Sequence, residues 1–170
     1  MRIETKRLTL RPFEQSDYDD LYEFLSQLEK DEFEGYPGIT YENGKKHLTD
    51  RIGSDEFYAI ELKKTGKVIG NIYCGKRDFE AREVGYIVNM QYQRLGYVYV
   101  ALSAVIKEFL HNGTHRIYAE CDPGNISSWK LLEKAGMERE TFFHKNIFFH
   151  MDENGNPVWK DTYVYAILNE

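Results

Sequence analysis

The stretch EVGYIVNMQYQRLGYVYVALSAVIKEFLHNGTHRIYAEC, residues 83–121, decides the fold. It reads as strand, loop, helix, strand. A right-handed crossover makes the two strands parallel neighbours with the helix packed across them. Within the helix, Val98, Leu102, Val105, Ile106, Phe109 and Leu110 recur as one apolar stripe, and the helix is expected from about Gly96 to Leu110. Glycine is a poor helix former, so Gly96 at the helix start needs a reason. Two reasons stand: it eases a tight turn, or it lets a ligand approach the backbone. Unpaired N–H groups in the first turn of such a helix suit an anion, phosphate above all, and Arg94 adds a charge. The stretch lacks GxxxxGK[ST] and the three glycines of GxGxxG, which sets aside P-loop and dinucleotide-binding readings.

Outward from this unit the pattern stays mixed. RLTLRPF near the N-terminus alternates apolar and basic residues, as a strand with one buried face does. Ser16 is the expected cap of a helix carrying Tyr18, Leu21, Tyr22, Leu25 and Leu28. Gly35 to Gly38, around Pro37, break the pattern, and a second helix is expected from about Glu42 to Ile52. EFYAIEL and KVIGNIYC flank a turn at Lys64, Thr65 and Gly66, which reads as a hairpin. After RIYAEC, Pro123 and Gly124 turn the chain into NISSWKLLEKAGM, a short helix stopped by Gly136. Two aromatic strands, TFFHKNIFFHM and VWKDTYVYAIL, close the chain as a hairpin expected to be buried, with a dimer surface or substrate wall as its second use. The order is β-α-α-β-β-β-α-β-α-β-β, a mixed α/β fold in one domain spanning residues 1–170.

Composition narrows the function. The 170 residues are 42% hydrophobic and 15% aromatic, enough for a packed core. A formal net charge of -6 argues against a nucleic-acid partner. Cys74 and Cys121 stand in no metal-ligand or CxxC spacing, and the five histidines form no helical pair, so no metal site is expected. The polar start and the lack of a long apolar run imply no membrane and a cytoplasmic location. Trp129 reads as a packing residue. The acidic run Glu29, Asp31, Glu32, Glu34 reads as a solvated face that could also attract a cation.

QRLGYV followed, one helix and one strand later, by NISSWKLLEKAGM resembles the GNAT N-acetyltransferases, nearest to the RimJ/RimL-like branch that acetylates protein N-termini. The motif residues are Gln93, Gly96 and Val98, then Asn125, Ser128, Leu132, Glu133, Lys134, Gly136 and Met137. ETKRLTLRPF also looks like the family's first strand. The resemblance implies a GNAT-like sheet whose central strands splay to admit acetyl-CoA as co-substrate. It implies that the main chain of Ile87 and Val88 bonds the pantetheine, and that Gln93, Arg94, Leu95, Gly96, Tyr97 and Val98 cradle the pyrophosphate. Asn125 would bond the pantetheine near the thiol, Ser128 would donate a proton to the sulfur, and Glu83 would serve as general base. The family's tyrosine acid is replaced here by Leu132. Val98 stands where Gly or Ala is usual; as part of the apolar stripe it is expected to point into the core. The implied acceptor is an amine, a peptide N-terminus or a small amine, and the implied assembly a monomer or homodimer. The alternative is a non-catalytic module of the same fold that binds CoA as sensor or scaffold.

Overall fold

The computed structural model describes residues 1–31, 33, 36 and 38–169, with Lys30 described in its backbone alone. The break expected around Pro37, and Glu32 and Glu34 of the acidic run, lie outside the described residues. The elements are β1 (Ile3–Glu4), β2 (Leu8–Arg11), α1 (Tyr18–Ser26), α2 (Tyr41–Ile52), β3 (Phe57–Leu62), β4 (Val68–Arg77), β5 (Ala81–Val88), α3 (Tyr97–His111), β6 (Arg116–Cys121), α4 (Ile126–Lys134), β7 (Glu138–Met151) and β8 (Pro157–Leu168). The expected order holds, with a short strand β1 added before the expected first strand and paired antiparallel to it. No helix among the described residues is long and apolar enough to cross a membrane.

The strands form one sheet in the order β1-β2-β3-β4-β5-β6-β8-β7. The β5–β6 pair is parallel and the other neighbours are antiparallel. Helices α3 and α4 cover one face through Ala101, Leu102, Val105, Ile106, Phe109 and Leu132. Helices α1 and α2 cover the other through Leu21, Phe24, Leu25 and Leu48. Amphipathic helices bury their stripes against both faces of the sheet, which sets its central strands deep in the protein.

This double cover overturns the reading of RLTLRPF as a strand with one wet face. Leu8, Thr9, Leu10 and Arg11 are all buried. Arg11 Nη1 and Nη2 donate to the two oxygens of Asp17, each at 2.8 Å, and its Nε donates to Glu61 at 2.6 Å. Asp17 also accepts the Glu14 N–H at 2.8 Å, so this carboxylate, and not Ser16, organises the entry to α1. A buried guanidinium is tolerable only when its donors are met this completely.

The closing hairpin also differs from expectation. β7 is an outer strand, and Phe142, Phe143, Phe148 and Phe149 on it, with Trp159 on β8, are exposed. The β7–β8 register shifts between Phe143 and Ile147, where Lys145 takes a left-handed φ of 49°. Trp129 packs against the main core and its Nε1 donates to the Pro123 carbonyl at 3.2 Å, the packing role expected of it.

Candidate active site

β5 pairs β4 along its whole length, from Ala81 opposite Arg77 to Val88 opposite Gly70. It pairs β6 only at Ala81, Arg82 and Glu83, opposite Arg116, Ile117 and Tyr118. Beyond Glu83 the two parallel strands part. The backbone on the β6 side of β5 is therefore left without a strand partner, and such groups must find another.

Register shows which residues offer those groups. In an antiparallel ladder, bonded pairs alternate. The Asn89 N–H donates to the Ile69 carbonyl at 2.8 Å, which puts the peptide groups of Asn89, Ile87 and Gly85 on the β4 side. Consistent with this, a Cβ placed on Gly70 would lie 2.2 Å from the Ile87 carbonyl oxygen. Val84, Tyr86 and Val88 face the opening. The expected main-chain role of Val88 is thus possible, whereas that of Ile87 is corrected: its peptide groups serve β4, and its side chain packs toward α1 and α2.

The parted end of β5 is braced from α1. Buried Asn89 donates to Glu23 at 2.7 Å and accepts from Gln27 at 3.3 Å, while Gln27 accepts the Met90 N–H at 2.8 Å. Lys67 donates to Asp20 and Glu23, each at 2.7 Å. From this anchor the chain runs through Gln93, Arg94 and Leu95, all exposed, to Gly96. Arg94 and Gly96 both adopt left-handed backbone, with φ of 59° and 77°. Gly96 is the cap of α3, and the first intrahelical bond runs from the Val100 N–H to its carbonyl at 3.2 Å. The N–H groups of the turn before Val100 thus have no acceptor within the helix.

Arg7, which the sequence reading passed over, completes this corner. Its Nη1 donates to the Leu95 carbonyl at 3.3 Å and its guanidinium lies 4.5 Å from the Tyr97 ring centroid. Val98 is half-buried and, among the described residues, belongs to neither buried cluster. The buried stripe of α3 starts one turn later, at Ala101 and Leu102 on the same face, so Val98 at the helix mouth stays half-buried and the expectation that it points into the core is corrected.

On the far side of the opening, α4 begins because Asn125 caps it. The Asn125 side-chain oxygen accepts the Ser128 N–H at 3.1 Å and the Ser127 hydroxyl at 3.0 Å. Asn125 Oδ1 is therefore committed to the helix, and its amide N is the part left to face a ligand. Ser128 Oγ lies 2.8 Å from the Tyr86 hydroxyl, where either oxygen can donate, and the Ser128 carbonyl at 3.2 Å is a second, longer acceptor for the single phenol proton. Leu132 is 1% exposed and locked in the core.

Asn125 and Ser128 line a cleft with Phe33, Glu120, Asp122 and Lys160. Glu83 and Glu120 stand on one face of the sheet, two residues apart in register from the last β5–β6 pair. An oxygen of Glu83 is engaged by Arg77. Glu120 is open to the cleft yet crowded at its carboxyl by protein. That desolvation, with the negative charge of Glu83 second, raises its pKa. Cys121, also in the cleft wall, is pushed up to about 11 by burial and then by Asp122.

The chain's likeness to known proteins agrees with this geometry. An acetyltransferase (GNAT) domain model matches residues 7–138. An uncharacterized N-acetyltransferase of Bacillus subtilis, YnaD, is 35% identical over 100% of this chain and 98% of its own length. The crystal structure of a GNAT-family acetyltransferase from Bacillus anthracis superposes with a TM-score of 0.88 at 32% identity, covering 99% of each chain. RimL, a ribosomal α-N-protein acetyltransferase solved in complex with coenzyme A, shares the fold at a TM-score of 0.84 and 18% identity, over 99% of this chain and 98% of its own. A sheet that parts beside a glycine-capped helix, matched by sequence and by structure over nearly the whole chain, makes this protein a member of the GNAT N-acetyltransferase family.

Proposed function

We propose that the chain, as one domain over residues 1–170, transfers an acetyl group from acetyl-CoA to a primary amine by direct attack in a ternary complex. The observation that carries this reading is the opening between β5 and β6, which leads from the α3 N-terminus to Ser128. The residues present fit acetyl-CoA: a left-handed glycine leaves the helix mouth bare, and Arg7 and Arg94 stand beside it. Gln93 to Val98 would hold the pyrophosphate through backbone N–H groups and these cations. Tyr86 and Val88 would bond the pantetheine as an added strand does, with the Asn125 amide near the thiol. When bound, acetyl-CoA supplies an acetyl group activated as a thioester.

The protein's own groups then divide the work. Backbone N–H groups of β5 facing the opening polarise the acetyl carbonyl. Glu120 takes the proton that the attacking amine sheds, its raised pKa bringing it toward neutral pH, where a general base is most effective. Glu83, the base expected from sequence, contributes its negative charge to that shift while Arg77 holds it in place. Ser128 passes a proton toward the sulfur. Cys121 is a poor nucleophile with its thiol held up near about 11, which supports direct attack over a route through an acylated cysteine.

The acceptor is a protein N-terminal α-amine or a small amine. An α-amine titrates near ~7.7–8.0 and is partly neutral at ordinary pH, whereas a lysine amine near ~10.4 is not. RimL's name states an α-N-protein acceptor, which supports the first of these. The test is CoA release from acetyl-CoA with a serine-initial peptide and, separately, with spermidine. Wild-type protein turns over one of them, and Glu120→Gln loses about a hundredfold in kcat. Failure with every amine favours the non-catalytic CoA-binding module, for which half-buried Val98 beside Gly96 is the supporting observation.

A further inference from the structure

We propose that Tyr86 and Ser128 form a two-hydroxyl relay that carries a proton to the CoA sulfur, with Tyr86 as the positioning residue and proton source behind Ser128. This inference rests on the acetyltransferase reading above. The two hydroxyl oxygens are 2.8 Å apart, and the phenol oxygen is also 3.2 Å from the Ser128 carbonyl. Both partners are fixed from outside the pair. Ser128 sits in the first turn of α4, held by the Asn125 cap at 3.1 Å. Tyr86 sits on the parted half of β5 and packs against the main core.

The chemistry asks for such a partner. A serine hydroxyl that protonated a thiolate alone would be left as an alkoxide, far too basic to persist at neutral pH. Phenols titrate near ~10, close to the ~8.5 of an ordinary thiol, so a proton drawn from a phenol costs little. In the relay, Ser128 gives its hydroxyl proton to the sulfur, which has kept the electron pair of the broken C–S bond. Ser128 Oγ takes the phenol proton in the same movement, and Tyr86 is left as phenolate. Glu120 holds the proton shed by the amine and passes it to water, and Tyr86 takes one from water before the next cycle. No oxidant, reductant or further reagent is needed.

The experiment uses the full chain with CoA, without turnover, and reads the thiol of bound CoA by the ultraviolet absorbance of its thiolate against pH. A relay that donates to sulfur stabilises the thiolate. Tyr86→Phe, which keeps the ring, should therefore raise the thiol's titration midpoint by about one pH unit. Ser128→Ala should raise it equally, and the double variant no further, because the two hydroxyls act in series. In acetyl transfer to the serine-initial peptide, Tyr86→Phe should lose about a hundredfold in kcat with KM for acetyl-CoA unchanged. A wild-type midpoint in Tyr86→Phe, or losses that multiply in the double variant, overturns the relay. If wild-type protein acetylates no amine, the acetyltransferase reading fails while the CoA titration still decides the relay. If it binds no CoA, both fail.

Discussion

The two edges of β5 are built from one strand and behave in opposite ways. Toward β4 every residue from Ala81 to Val88 has a partner, and Gly70 is needed because Ile87 presses so close that a Cβ would lie 2.2 Å from its carbonyl oxygen. Toward β6 pairing stops after Glu83, and Gly96 stands beyond the end of the opening with a single ordinary neighbour, Arg7, at 3.5 Å from where a Cβ would be. Both edges use a glycine, for different reasons. At the closed edge it permits strand packing, and substitution is paid for in stability. At the open edge it permits a left-handed turn and a bare helix mouth, and substitution costs function first.

The contrast can be broken most directly at Gly70. Gly70→Ala should destabilise by about 3 kcal/mol, since overpacking against backbone cannot relax cheaply, and lower Tm by roughly 6–12 °C for a chain this size. A thermal melt within about 1 °C of wild type would mean the β4–β5 edge is looser than described. Saturating the open edge is expected to have the next largest effect. Acetyl-CoA at about a hundred times Kd should stabilise by ~2.7 kcal/mol, and NAD should give no shift. Gly96→Ala should lose about 1 kcal/mol through its positive φ and about tenfold in CoA affinity. Gly113, with φ of 90° and open space around it, is the matched control: Gly113→Ala should lose similar stability and no affinity by calorimetry. The smallest effect concerns Glu83. Its negative charge helps raise the pKa of Glu120, so Glu83→Gln should lower that pKa and move the acid limb of kcat/KM to lower pH. A limb that moved to higher pH, or stayed in place, would detach Glu83 from Glu120.

Much of this architecture was legible in the chain. Hydrophobic period and turn residues placed α3, α4 and the strands between them, because such patterns report local geometry. Gly96, Asn125 and Ser128 were legible as motif residues at fixed spacing. Which side of β5 Ile87 and Val88 offer was not, since that depends on the register with β4. Glu120 and Tyr86 were missed for a related reason. Glu120 has its pKa raised by burial first and then by Glu83, 37 positions away in the chain, and Tyr86 acquires its partner from α4. Arg11 looked like a solvated basic residue, and only the cover on both sheet faces turns it into the centre of a buried ion pair. The aromatic run of β7 read as buried because hydrophobicity alone does not say that a strand lies at the rim of a sheet.

That rim strand has a consequence for solubility. A 14-residue outer strand rich in phenylalanine is the kind of edge on which further strands add and aggregates grow. Here the register slips between Phe143 and Ile147, and Lys145 turns left-handed while its N–H is taken by Asp161 at 2.7 Å. The kink bends the edge and puts a cation at its middle, so an incoming strand cannot follow it end to end. The protein thus keeps a sticky aromatic surface without offering a straight template beside it.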